Sequence, residues 1–157
     1  MVFVTVGTTE FDALVQAMDA WAADHGERVV VQIGHGTYVP RHAEHFRFAP
    51  TLIPYYNEAD LVVAHGGLGT TMEVLHLGKP LVSVSNPDRY DRHQEDLLEA
   101  LEAAGHLLWC RDLQRLPEAI AEARGRAFTP YTPPPCRIHE VIAAYLRVQF
   151  GAAERGG

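Results

Sequence analysis

Apolar positions along this chain follow two periods. Short unbroken runs at Val2–Val6, Val29–Ile33, Asp60–Ala64 and Pro80–Ser85 read as strands of the kind buried on both faces. Between them the period changes. Phe11, Leu14, Val15, Met18, Trp21 and Ala22 recur at helical spacing until Asp24-His25-Gly26 ends the pattern. Thr9 with Asp12 has the spacing of a capping box at the start of that helix. A second amphipathic stretch, from about Asp91 to Ala104, turns Leu97, Leu98 and Leu101 inward and stops at Gly105. Shorter elements complete the pattern: a strand at His45–Ala49, a helix over Pro50–Glu58 that Pro54 disfavours, and a last strand at His106–Cys110. Helices follow at Leu113–Arg124 and Arg137–Phe150, separated by a proline-stiffened connector over residues 128–135.

Strands alternating with helices predict an α/β fold, a doubly wound parallel sheet of Rossmann-like kind. Ligands of such sheets sit beyond the carboxyl ends of the strands. Four polar turns fall at that edge: Gly7–Thr9, Gly34–Gly36, His65–Thr71 and Asn86–Gln94. The length, 157 residues, fits one domain, expected over residues 1–150, with residues 151–157 as a disordered tail. A net charge of −7 argues against non-specific nucleic-acid binding. Cys110 and Cys136 lie in unrelated contexts and suggest neither a disulfide framework nor a metal site. No apolar run is long enough to cross a bilayer, and the first residues read as a strand, so a cytoplasmic location is expected.

The chemistry concentrates between Asp60 and Gln94. A buried strand runs into His65-Gly66-Gly67-Leu68-Gly69, and a helix is expected to begin at Thr70. A helix start leaves amides unpaired, and its dipole favours an anion there. A diphosphate at this turn would accept from N–H groups near Gly69, Thr70 and Thr71 and from the threonine hydroxyls. Glu73 lies roughly 5 Å further along the helix axis. That offset suits a carboxylate gripping two ribose hydroxyls. Gln94 and His93 could then meet a sugar on the far side of the diphosphate. His65, where strand meets turn, could donate to a phosphate oxygen.

Each feature alone has a plainer explanation. The glycines could form a tight turn, and Glu73 could be a solvated helix residue. The combination at this spacing favours a nucleotide sugar. A dinucleotide fingerprint fails, because Met72 stands where a small residue is needed and the next strand closes on Ser85-Asn86 without an acid. No phosphate-loop lysine follows the turn, since Lys79 lies beyond the helix. His42 and His45 have a spacing some metal sites use but no third ligand, so they read as exposed loop residues. His35, between two glycines at a strand end, is a weaker candidate for ligand contact.

The residues His65-Gly66-Gly67-Leu68-Gly69-Thr70-Thr71-Met72-Glu73, then Gly78-Lys79-Pro80 and His93-Gln94, resemble the donor-site signature of GT-B glycosyltransferases. They are most similar to the carboxyl-terminal domain of family 28. The opening Phe3-Val4-Thr5-Val6-Gly7-Thr8-Thr9 with Phe11-Asp12 resembles the small catalytic subunits of UDP-GlcNAc transferases that build dolichol-linked glycans, and their bacterial exopolysaccharide counterparts. The resemblance spans about residues 2–110. It implies a UDP-sugar donor with its diphosphate at Gly7, Thr8, Thr9, His65, Gly67, Gly69, Thr70 and Thr71. It further implies ribose on Glu73, the transferred sugar on His93 and Gln94, and uracil facing the backbone near Phe48 and Ala49. Such enzymes work without a bound metal or other cofactor, because helix-terminus charge stabilises the leaving UDP. A complete GT-B enzyme also has an acceptor domain that usually supplies the general base. The resemblance therefore implies a membrane-anchored partner subunit, a lipid-linked glycan acceptor and a location at the inner face of the membrane. The alternative is a non-catalytic UDP-nucleotide-binding or scaffolding module.

Overall fold

The computed structural model describes residues 1–87, 92–134 and 142. The expected helix at Arg137–Phe150, all but Ile142, and the tail at 151–157 lie outside the described residues, as do Asp88 and Asp91. Six strands form one sheet: β1 (Val2–Thr5), β2 (Val29–Gln32), β3 (Glu44–Phe46), β4 (Leu61–His65), β5 (Leu81–Val84) and β6 (Leu108–Cys110). Their spatial order is β3-β2-β1-β4-β5-β6. Every pairing is parallel, with Val4 opposite both Val31 and Val63. Chain direction across the sheet reverses between β1 and β4. A crevice opens at such a switch point, beyond the carboxyl ends of the strands.

Helices cover both faces. On one lie α1 (Asp12–His25) and α5 (Leu116–Gly125), whose Leu14, Val15, Met18, Leu116 and Ile120 pack on Val4, Val31 and Val63. On the other lie α2 (Ile53–Glu58), α3 (Leu68–His76) and α4 (Arg92–Ala103), whose Tyr56, Val74, Leu75 and Leu98 pack on Phe3, Val30 and Val62. Burial on both faces explains the unbroken apolar strands: all four residues of β1, β2 and β5 are buried. Gly26 ends α1 in the left-handed region at φ 61°, its N–H bonded to the Ala22 carbonyl.

Several boundaries differ from expectation, each for a local reason. The capping box at Thr9 and Asp12 does not form. Phe11 is the N-cap of α1 and makes no side-chain cap bond. Asp12 instead accepts from the Thr37 amide and hydroxyl and the Tyr38 amide, while Thr9 donates its hydroxyl to the Val6 carbonyl. α3 begins at Leu68, two residues before Thr70, because extended Gly67 (φ −69°, ψ 134°) serves as its N-cap. β3 lies at Glu44–Phe46, so Phe48 and Ala49 fall in the loop beyond it. Pro54 does not oppose α2; it sits in the first turn, where a missing N–H costs nothing. A 3-10 turn at Leu113–Arg115 precedes α5.

Candidate nucleotide site

A cavity of about 540 Å³ occupies the switch point. Its walls bring together segments far apart in sequence: Gly7 and Thr8 after β1, Gln32 at the end of β2, Phe48–Ile53 after β3, His65 and Gly67 after β4, and Gly69, Thr70 and Glu73 on α3. Nine residues expected at a donor site therefore line one cavity: Gly7, Thr8, Phe48, Ala49, His65, Gly67, Gly69, Thr70 and Glu73.

The start of α3 has the properties an anion needs. Its first internal amide bond runs from Thr71 N–H to the Gly67 carbonyl at 3.0 Å. The amides of Leu68, Gly69 and Thr70 precede that ladder. No side chain caps this end, and no acidic residue sits in its first turn. The Thr71 amide is thus already engaged, and its hydroxyl is fully buried without a hydrogen-bond partner among the described residues. Of the residues whose amides precede the ladder, Gly69 and Thr70 line the cavity.

The glycines of the turn have separate causes. A Cβ at Gly67 would fall 2.4 Å from His65 Nε2, and one at Gly7 would fall 2.8 Å from His65 Cε1. Gly7 also sits at φ 63°, in the left-handed region. The imidazole thus fills the gap between the two turns. A Cβ at Gly66 would meet Leu98 at 2.8 Å. Gly69 is different, because a Cβ there would meet nothing within 4 Å. Inside a helix a glycine with free space around it costs stability for no packing return. The open space leaves the backbone at this position accessible from the cavity.

Glu73 is exposed into the cavity and accepts a 3.4 Å bond from the Tyr56 hydroxyl. Tyr56 is fully buried. Burial first, then the adjacent Glu73 charge, pushes its hydroxyl well above the ordinary tyrosine range, so it remains a donor. No lysine or arginine lines the cavity among the described residues. An anion there would rely on amides, hydroxyls and the helix dipole.

The segments on either side of β3 are fastened by side chains. Asp19, only 2% exposed on α1, accepts from the amides of Arg41, His42 and Ala43 and from the Tyr38 hydroxyl. Arg47 donates to the Gly34 and Gly36 carbonyls. His35 packs edge-on against Phe48, ring centroids 4.9 Å apart. Asp19, Gln32, Arg47 and Tyr56 carry this site without having stood out in the sequence. Asp19 left a signal, a carboxylate inside the apolar stripe of α1. So did Gln32, a polar residue ending an all-valine run.

Other expected residues lie outside this cavity. Thr9 is used in the turn, its carbonyl accepting from His35 N–H. Gln94 lines a neighbouring cavity of about 500 Å³ with Gly66, Ser85, Asn86 and Leu98. The glycine turn at Gly66-Gly67 forms the border between the two. His93 lies within α4, and its side chain is outside the described residues.

An all-parallel sheet with helices on both faces and an open cavity at its switch point defines a Rossmann-like α/β domain. Residues 1–142 match the model of the glycosyltransferase family 28 C-terminal domain, and the chain belongs to that family. It is 39% identical over 122 residues to the UDP-N-acetylglucosamine transferase subunit ALG13 of Homo sapiens, covering 69% of this chain and 11% of that protein. The chain thus spans about a tenth of the length of the mammalian relatives it matches. The fold is similar to the solution structure of ALG13, with a TM-score of 0.62 and 19% identity over 90% of this chain and 93% of that one. It is also similar to the calicheamicin glycosyltransferase CalG4, with a TM-score of 0.65 and 22% identity over 95% of this chain and 44% of that one.

Proposed function

We propose that this chain is the donor-binding half of a UDP-sugar-dependent glycosyltransferase, using UDP-GlcNAc or a related hexose. The acceptor is a lipid-linked glycan, held by a membrane-anchored partner that supplies the other half of the site. Family membership supports the reaction class. The relative's description as a transferase subunit supports a partner. No helix among the described residues is long and apolar enough to cross a membrane.

One observation carries the reading. The uncapped start of α3 and Glu73 open into a single cavity, at the offset between a diphosphate and a ribose. The diphosphate lies on the amides of Leu68–Thr70 with the Gly7–Thr8 turn opposite. Ribose hydroxyls donate to Glu73, which the Tyr56 hydroxyl holds in place. The base lies along Phe48 and Ala49, and the sugar reaches across Gly66-Gly67 toward Gln94. In transfer, an acceptor hydroxyl oxygen bonds to the anomeric carbon as the bond from that carbon to the β-phosphate oxygen breaks. UDP leaves with the electron pair, its charge met by the helix terminus in place of a metal ion. The hydroxyl proton passes to a base on the partner half.

Calorimetric titration with UDP, ADP and NAD tests the class. The reading predicts selective binding of UDP, weakened in Glu73→Ala by about 1–3 kcal/mol through loss of charge-assisted bonds. Equal binding of all three ligands, or no change in the variant, contradicts it.

A further inference from the structure

Gln32 ends β2 and is 5% exposed, yet it lines the cavity. Its orientation is fixed from one side. The Gly7 amide donates to Thr5 Oγ1 at 3.0 Å, and Thr5 Oγ1 donates to Gln32 Oε1 at 2.6 Å. The threonine proton needs an acceptor, so the carboxamide oxygen faces Thr5 and the NH2 group faces away. Among the described residues that NH2 group has no hydrogen-bond partner. Gln32 lines the cavity, and a molecule bound there can take up that donor.

We propose that Gln32 Nε2 binds a neutral acceptor oxygen on the nucleoside end of the bound nucleotide, a base carbonyl or a ribose oxygen. The assignment rests on the nucleotide reading of the cavity. Register places Gln32 between Thr5 on β1 and Phe46 on β3. Alternation along the strand puts it on the same face as Val30, the face that packs against Tyr56 and Val74. That face carries Glu73, and Phe48 follows Phe46 by two residues. Gln32 therefore lies on the ribose and base side of the cavity. Thr5 serves as its positioning residue and ties it to the Gly7 turn, so one network links the two ends of the nucleotide.

The test uses the ¹⁵N-labelled chain with UMP and UDP as probes. One side-chain NH2 pair, identified by its absence from the spectrum of Gln32→Glu, shifts when UMP is added to the wild-type chain. Gln32→Glu keeps the oxygen that Thr5 needs and removes the donor. It weakens UMP and UDP binding by the same factor, tenfold or more. Wild-type binding with that resonance unmoved overturns the proposal and leaves the nucleotide site standing. A loss confined to UDP, or affinities within twofold of wild type, also overturns it. Failure of the wild-type chain to bind either probe removes the nucleotide reading and this proposal together. The pair is assigned independently by its nuclear Overhauser contacts to Thr5 and Phe46, the residues opposite Gln32 in the sheet, so the wild-type spectrum decides the matter even if the variant does not fold.

Discussion

At the scale of single residues, the glycines separate packing from function. Gly67 and Gly7 make room for the His65 ring, and Gly66 makes room for Leu98. Their spacing would persist in a protein that bound nothing. Gly69 has open space around it and sits in the first turn of α3. Gly69→Ala therefore separates the two explanations by sign. Alanine in place of glycine restricts the unfolded chain and favours the helix, by up to about 0.5 kcal/mol in a first turn against about 0.5–1 kcal/mol in a helix interior. A methyl group among the amides that hold the diphosphate blocks close approach. The variant is expected to melt at a higher temperature than wild type and to bind UDP more weakly. Scanning calorimetry and titration check both halves, and a variant that is more stable and binds UDP unchanged contradicts the role given to this backbone. His65, Gly67, Gly69, Thr70 and Glu73 were legible in the sequence because strand, turn and helix follow one another there. The helix start was less legible: the pattern places it at Thr70, whereas Gly67 caps the helix and the ladder takes the Thr71 amide.

At the scale of elements, the segment that leads from β2 into β3 is held by one buried carboxylate. Burial alone would push the Asp19 carboxyl up. Hydrogen bonds from the Arg41, His42 and Ala43 amides and the Tyr38 hydroxyl outweigh that and hold it below the ordinary value of 3.8. A carboxyl lowered in the folded state adds stability that is complete above its unfolded value and lost as pH falls through its folded one. Stability should thus hold above about pH 5 and fall away below about pH 4. Asp19→Asn removes the charge that holds four donors, at a cost of about 1–3 kcal/mol. Its melting temperature should be lower at pH 7 and depend less on pH between 5 and 3 than that of wild type. Parallel pH dependence in the two proteins would contradict the assignment. None of this was legible beforehand. The segment from Thr37 to Glu44 has no periodicity, and its conformation is imposed by α1 through Asp12 and Asp19, some 20 residues earlier in sequence. The strands and long helices were legible because burial on two faces writes itself into the apolar pattern.

At the scale of the whole molecule, the strand order reverses between β1 and β4 and gathers the turns after β1, β3 and β4, with the end of β2, around one cavity. Fold class could be read from alternation of strands and helices. Which turns share a cavity could not, because that depends on strand order. The structure accordingly places Gly7, Phe48 and Glu73 together while assigning Gln94 to the next cavity. The molecule carries a net charge of −7 and its cavity has no lysine or arginine among the described residues, yet the site is proposed to hold a diphosphate. Directed amides and a helix terminus must then supply the attraction, and this is the part of the account most open to refutation. A crystal of the chain soaked in saturating UDP addresses it directly. The account predicts phosphate oxygens within hydrogen-bond distance of the Leu68, Gly69 and Thr70 amides, with both ribose hydroxyls on Glu73. UDP seated in the neighbouring cavity, or absent from both, would contradict it.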